Sequence, residues 1–181
     1  VLVEVRPYDK VGVQNGVYQD DVTATYAWQT AELLNLRPYI MGYGAVGITK
    51  SGSGGGPKVI NSYPFNYENS PATAPNANLI VINHGANDMH APAEEYTKGY
   101  LEFLDLVRSR NPKSKIIALS TFCGVHAKEL KQAVAKYNAE KGEDIAFING
   151  SNWVPKEPLH PLRAGHKIIA RHLAEELKKF L

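Results

Sequence analysis

Three short stretches carry residue types that acyl chemistry uses. The first is His84-Gly85-Ala86-Asn87-Asp88, directly after the apolar run Leu79-Ile80-Val81-Ile82. An asparagine just past a strand end can offer its side-chain NH2 to an oxyanion. The same Asn-Asp pair also suits a turn that only stops the strand. The second is Tyr43-Gly44-Ala45-Val46-Gly47. A glycine there can aim its backbone N–H at a ligand because no Cβ blocks the approach; the alternative is a tight turn. The third is Glu157-Pro158-Leu159-His160-Pro161. A carboxylate placed shortly before a histidine can reach its Nδ1–H and hold the tautomer that leaves Nε2 free as a base. The alternative is a surface Glu and a His at a helix start.

The elements that must position these groups alternate between strand and helix. Residues 1–5 read as a short strand, 6–22 as loop, and 24–35 as a helix capped by Thr23 or Thr25 with Ala27, Ala31 and Leu34 on one face. Residues 37–41 read as a second strand, followed by the glycine-rich Ser51-Gly52-Ser53-Gly54-Gly55-Gly56, whose composition suits a flexible loop. Residues 57–77, rich in Pro, Asn and Tyr, read as a long loop packing over the sheet. The third strand covers 78–84. A helix over 93–110 follows, with Tyr96, Tyr100, Phe103, Leu104 and Val107 as a core stripe rather than a cofactor box. Strand 116–120, helix 126–140 with Leu130, Val134 and Tyr137 on one face, and strand 144–148 come next. A last helix starts near Pro161 or Leu162 and turns Ile169, Leu173, Leu177 and Phe180 inward. This alternation predicts a three-layer α/β/α sandwich on a five-stranded parallel sheet, as one domain over 1–181. The ends of parallel strands are where such sheets bind ligands.

Composition narrows the classes. The chain has 181 residues and a formal charge of +2, which gives no case for a nucleic-acid partner. No apolar run approaches the ~20 residues of a membrane span. No signal peptide is visible, and a mature secreted protein would look the same, so secreted, periplasmic and cytoplasmic locations all stay open. The lone Cys123 excludes an internal disulfide, and a buried or half-buried thiol is its default reading. The histidines form no metal pattern: His166 and His172 do not share a helix face well, and no His-x-x-x-His occurs. No metal and no cofactor is expected. The loop after the first strand lacks the Ser/Thr/Gly cradle of a flavin or nucleotide binder.

Taken together, the three stretches resemble the SGNH (GDSL-type) hydrolases, an esterase and lipase superfamily with a flavodoxin-like sheet. The resemblance runs over nearly the whole chain. It implies that Gly44 and Asn87 complete an oxyanion hole, matching the Gly after the second strand and the Gly-x-Asn-Asp motif. It implies that His160 is the base, with Glu157 in the place of the family's Asp as its orienting carboxylate. The stretch 81–88 and the helix after it look like the carbohydrate-esterase branches, which remove acetyl groups from sugars. The implied substrate is a small acyl ester, acetylated carbohydrate being one candidate.

One part of the pattern is missing. The family's nucleophile is the Ser of Gly-Asp-Ser after the first strand, and residues 1–22 contain no Ser, Thr or Cys. Covalent acyl transfer needs an attacking oxygen or sulfur. Ser51 and Ser53 are the nearest-looking substitutes; Ser120 and Cys123, at the end of the fourth strand, suit packing. Two readings follow. One is an SGNH-type ester hydrolase scaffold whose nucleophilic serine has been lost. The other is a catalytically silent domain, natural or engineered, that keeps the pocket and binds a ligand.

Overall fold

The computed structural model describes residues 21–73, 76–157 and 160–181. The strand expected at 1–5 and nearly all of the loop 6–22 lie outside these residues.

The Asp21 carboxylate accepts from the Thr23 and Ala24 N–H groups and closes a 3-10 turn over Val22–Ala24. The Thr25 hydroxyl then accepts from the Trp28 N–H at 3.2 Å and starts helix α1, Tyr26–Leu33. A cap of this kind contributes about 1 kcal/mol. Further along come the single-turn helix α2, Val59–Ser62, and a small antiparallel hairpin of β1, Phe65–Tyr67, with β2, Ser70–Pro71. The expected long loop at 57–77 therefore carries structure of its own. Strand β3, Leu79–Ile82, leads to helix α3, Ala93–Arg110. Strand β4, Lys115–Leu119, leads to helix α4, Ala127–Lys141, and strand β5, Ala146–Ile148, to helix α5, Arg163–Leu177.

Among the described residues the parallel sheet has three strands, in the order β3-β4-β5, not the five expected. Residues 37–41, expected as a strand, form no ladder with a described strand. A strand is held by its neighbour's backbone groups, and a cavity lined by Arg37, Tyr39 and Met41 on one side and Leu79 to Ile82 on the other lies between this segment and β3. The ladder itself pairs Ile80 with Ile116, Ile82 with Ala118, and Leu119 with Ile148.

Strand β4 is buried on both faces, and its alternation sorts the core into two halves. Ile116 and Ala118 pack with Tyr96, Tyr100, Leu104 and Val107 of α3 and with Leu130, Val134 and Tyr137 of α4. Ile117 and Leu119 pack on the opposite side with Tyr26 of α1 and Ile169, Leu173 and Leu177 of α5. Helices thus cover both faces of the sheet in three layers. The aromatic stripe of α3 is core, as its spacing predicts: Tyr96 and Tyr100 are both 0% exposed.

Tyr100 offers a test of this packing. Its hydroxyl is buried without a hydrogen-bond partner among the described residues, and burial pushes the phenol pKa far up. A buried polar group without a partner keeps its desolvation cost and returns nothing. Tyr100→Phe is expected to raise stability by up to about 1 kcal/mol, read as a higher urea midpoint. A clearly lower midpoint would show that the hydroxyl is bonded after all.

Candidate active site

The chain leaves β3 at Asn83, and this side chain ties three elements together. Its Oδ1 accepts from the Tyr26 hydroxyl at 3.1 Å, and its Nδ2 donates to the carbonyls of Leu119 and Ser120 at 3.2 and 2.8 Å. The chain then turns at Gly85, with φ 125°, where an added Cβ would lie 2.8 Å from the Tyr96 hydroxyl oxygen. Only glycine fits both the backbone angle and the space. A 3-10 turn, Ala86–Asp88, follows.

Asp88 is buried, 2% exposed, and its carboxylate holds a second loop. Oδ2 accepts from the Ile48 N–H at 2.8 Å; Oδ1 accepts from the Thr49 N–H and hydroxyl, each at 2.7 Å, and from the Lys50 N–H at 3.2 Å. At Gly47 an added Cβ would come within 2.5 Å of Oδ1, so the loop reaches this carboxylate only because residue 47 has no side chain. The Asp88 carbonyl meets His126 Nε2 at 2.9 Å. A carbonyl only accepts, so Nε2 carries the proton. His126 itself sits at φ 53°, stacks on Tyr96 with ring centroids 4.3 Å apart, and turns Nδ1 to within 3.8 Å of the Glu129 carboxylate.

Between these fixed points lies Asn87. Its Nδ2 donates to the Val46 carbonyl at 3.1 Å. The amide has a second N–H, which no described residue accepts. Gly44 is nearby along the loop that Asn87 stitches. Its carbonyl accepts from the Ser53 N–H at 3.0 Å, while its own N–H meets no acceptor among the described residues. An added Cβ at Gly44 would find nothing within 4 Å. Two donors without an acceptor among the described residues therefore sit on loops joined through Val46.

The glycine-rich loop carries backbone bonds that its composition does not announce. Gly52 N–H donates to the Gly56 carbonyl at 2.7 Å, Ser53 bonds back to Gly44, and Ser53–Gly55 forms a 3-10 turn. Ser51 and Ser53 are exposed on it. Ser120 is fully buried, as packing predicts; its hydroxyl donates to Asn149 Oδ1 at 3.1 Å and accepts from the Gly150 N–H at 2.9 Å. Cys123 is half-buried, with Sγ 3.5 Å from the Thr121 hydroxyl. His166 Nδ1 accepts from the Tyr26 N–H at 3.1 Å, and His172 stacks on Trp153 at 5.4 Å.

Glu157 and His160 are exposed in the segment between β5 and α5, on either side of residues 158–159, which lie outside the described residues. This segment leaves the C-terminal end of the parallel sheet, the same end as Asn87, from the opposite outer strand. The structure thus brings Asn87 to the Gly44–Val46 loop. The Asp88 clamp and the His126 prop were absent from the sequence reading. The partners of Asp88 are 38 to 40 residues away in the chain, so no local spacing announces them.

No family model matches the sequence, and no curated protein does. Solved structures do match. One is a family two carbohydrate esterase from Clostridium thermocellum in complex with cellohexaose, with TM-score 0.78 and 20% identity over 91% of this chain and 56% of that one. An acetyl xylan esterase from the rumen bacterium Butyrivibrio proteoclasticus gives 0.77 and 16% over 98% and 59%. A family two carbohydrate esterase from Cellvibrio japonicus gives 0.79 and 17% over 96% and 57%. The chain therefore has the fold of these esterases, an SGNH hydrolase fold. It spans somewhat more than half the length of each of these relatives.

Two outcomes test the clamp and its surroundings. Asp88→Asn turns an NH2 toward a ring of donors and breaks bonds to a buried carboxylate, which is expected to cost about 3 kcal/mol in a urea titration; a cost below about 1 kcal/mol would mean the loop holds itself. The second concerns His84, which packs edge-on to Phe103 at 6.1 Å. Burial pulls its imidazole down to about 4, against the nearby Asp88 charge, which raises it. The unfolded chain takes up this proton near 6.5 and the fold does not, so the stability is complete above that pH and falls as pH drops toward 4. Thermal unfolding between pH 7 and 4 should show this fall, and His84→Gln, which cannot charge, should flatten it. An unchanged slope in the variant would assign the loss to other groups.

Proposed function

We propose that this chain is an ester hydrolase scaffold of the SGNH type for acetyl or similar acyl esters, acetylated saccharide being the substrate class, with its nucleophilic serine lost. The observation that carries this reading is the pair of open donors, the Gly44 N–H and the second N–H of Asn87, on loops locked together at Val46. Such donors, fixed before reaction, stabilise the charge that develops on an acyl oxygen. The fold supports it, as does the carbohydrate chemistry named for its structural relatives. The proposal includes the flavodoxin-like sheet of five parallel strands, with residues 37–41 supplying one of the two strands beyond the three described.

In this reading His160 is the base and Glu157 orients it through Nδ1. His160 Nε2 takes a proton from water as the water oxygen attacks the acyl carbon. The carbonyl electron pair moves to oxygen, and the oxyanion accepts from Gly44 N–H and Asn87 Nδ2–H. Collapse breaks the acyl–oxygen bond, and the imidazolium returns its proton to the leaving alkoxide. Acid and alcohol are the products, and no covalent intermediate forms.

A second reading rests on one specific feature, the absence of Ser, Thr and Cys from residues 1–22. It makes the chain a silent domain that keeps the cleft and binds its ligand without turnover.

The two part company on an activated ester. The hydrolase reading expects slow hydrolysis of p-nitrophenyl acetate without a burst, since proteases stripped of a triad member keep roughly 10³–10⁴-fold catalysis over water. His160→Ala should remove it, and Asn87→Ala should lower it by about 10²-fold. Glu157→Gln should lower it only if Glu157 orients His160. No adduct should form with a serine-directed fluorophosphonate. Rates equal in wild type, His160→Ala and Asn87→Ala would leave the silent domain as the answer. A stoichiometric adduct on Ser53 would name a nucleophile on the loop bonded to Gly44 and restore the covalent route.

A further inference from the structure

We propose that Asn149-Gly150 is a self-modifying site, in which the asparagine side chain cyclises onto the next backbone nitrogen, and that the Ser120 hydroxyl holds it inert in the folded chain. The reaction needs no partner but water. It does not depend on the function proposed above; only its effect on that site does.

An asparagine before a glycine is the pair most open to this reaction, because no Cβ hinders the attacking nitrogen. The fold keeps both residues at the end of β5 for other reasons. A Cβ on Gly150 would lie 3.2 Å from Leu119 Cδ1 and 3.3 Å from two carbons of the Phe122 ring, so the core would have to give way to admit a side chain. Asn149 serves three donors with one oxygen. Its Oδ1 accepts from the Ser120 hydroxyl at 3.1 Å, from the Ser151 N–H at 3.2 Å and from the Ser151 hydroxyl at 2.8 Å. These bonds tie the chain leaving β5 to the end of β4. A reactive pair kept for packing and hydrogen bonding needs a separate restraint.

Ser120 supplies it. The residue is fully buried, and its Oγ accepts from the Gly150 N–H at 2.9 Å while donating to Asn149 Oδ1. One hydroxyl thus holds both reacting groups, the nitrogen that must attack and the amide that must be attacked. Gly150 is buried, which shields its N–H from the bulk water that would take the proton. Asn149 is exposed, and its Nδ2 bonds to no described residue, so the leaving side of the reaction is open. What the fold withholds is the nitrogen.

Local opening at the end of β5 removes the restraint. The Gly150 nitrogen gives up its proton and bonds to Asn149 Cγ. The Cγ–Nδ2 bond breaks, and ammonia leaves with that proton. Water then opens the cyclic imide at either carbonyl. The product at position 149 is an aspartyl residue, or an isoaspartyl residue whose backbone runs through Cβ and Cγ. The second lengthens the backbone between β5 and the segment that carries Glu157 and His160.

Mass spectrometry of the tryptic peptide 142–156 measures the conversion after incubation of the full chain at mildly alkaline pH. Folded wild type is expected to convert slowly, and the same chain in urea fast. Folded Ser120→Ala is expected to convert about tenfold faster than wild type, as when a buried N–H loses its bond and the local opening becomes easier. Ser120→Cys, close in size but a weaker acceptor, should fall between the two and serves alone if Ser120→Ala does not fold. Val107→Ala weakens the core beside α3 and leaves Ser120 in place, so it controls for lost stability and should convert at the wild-type rate. Equal rates in folded and urea-treated wild type would overturn the proposal. So would a wild-type rate in the Ser120 variants, or a Val107→Ala rate that matches theirs.

Discussion

The Asp88 carboxylate is the fixed point from which the site is built. It is buried at the end of β3 and accepts from the backbone of Ile48, Thr49 and Lys50 and from the Thr49 hydroxyl. A loop of backbone donors is expensive to bury unpaired, and a carboxylate is a strong acceptor with room for several bonds. Each side thus satisfies the other. The consequence for chemistry is indirect. Asn87 precedes Asp88, and Gly44 lies on the same loop that Asp88 captures, so the position of two donors is set by an interaction that touches neither.

This clamp hangs on β3, which is laddered to the buried β4. Strand β4 is covered on both faces, with Ile116 and Ala118 set against α3 and α4, and Ile117 and Leu119 against α1 and α5. Strand β3 is laddered to it, and Asn83 adds side-chain bonds to Leu119 and Ser120 at the strand ends. Tyr96 carries the same rigidity upward. It is fully buried in α3, supports the turn at Gly85 through the His84 carbonyl, and provides the surface on which His126 lies. A layer of packed side chains is thereby converted into the placement of one amide.

Helix α3 was legible in the sequence to the residue, because its aromatic stripe repeats at helical spacing and Asn111-Pro112 cannot continue it. Strands β3, β4 and β5 were legible as apolar runs: 78–84 overran β3 at both ends, 116–120 lay one residue late on β4, and 144–148 began two residues early for β5. The hairpin at Phe65–Tyr67 was not, because strands this short carry too little alternation to rise above a run of Asn, Pro and Tyr. The bond from the glycine-rich loop to Gly44 was not legible either, because it runs across the fold and composition reports only local freedom. Asn87 was found from its place after a strand, whereas Asp88 and His126 act on partners that only the fold brings near.

The two halves of the proposed chemistry rest on different physical grounds. Asn87 has a structural duty, since one of its N–H groups holds the Val46 carbonyl whether or not a substrate is present. Loss of that amide would leave the Val46 carbonyl without this partner, so stability alone is a reason to retain it. Gly44 differs: its bond to the Ser53 N–H is made by a backbone carbonyl that any residue would supply, and an added Cβ there meets nothing within 4 Å. A nucleophilic serine hydroxyl serves the reaction alone. The rings of the hairpin differ again: Phe65 and Tyr67 are exposed and belong to neither core cluster, whereas Tyr43, which bonds to the Phe65 carbonyl, packs against the core.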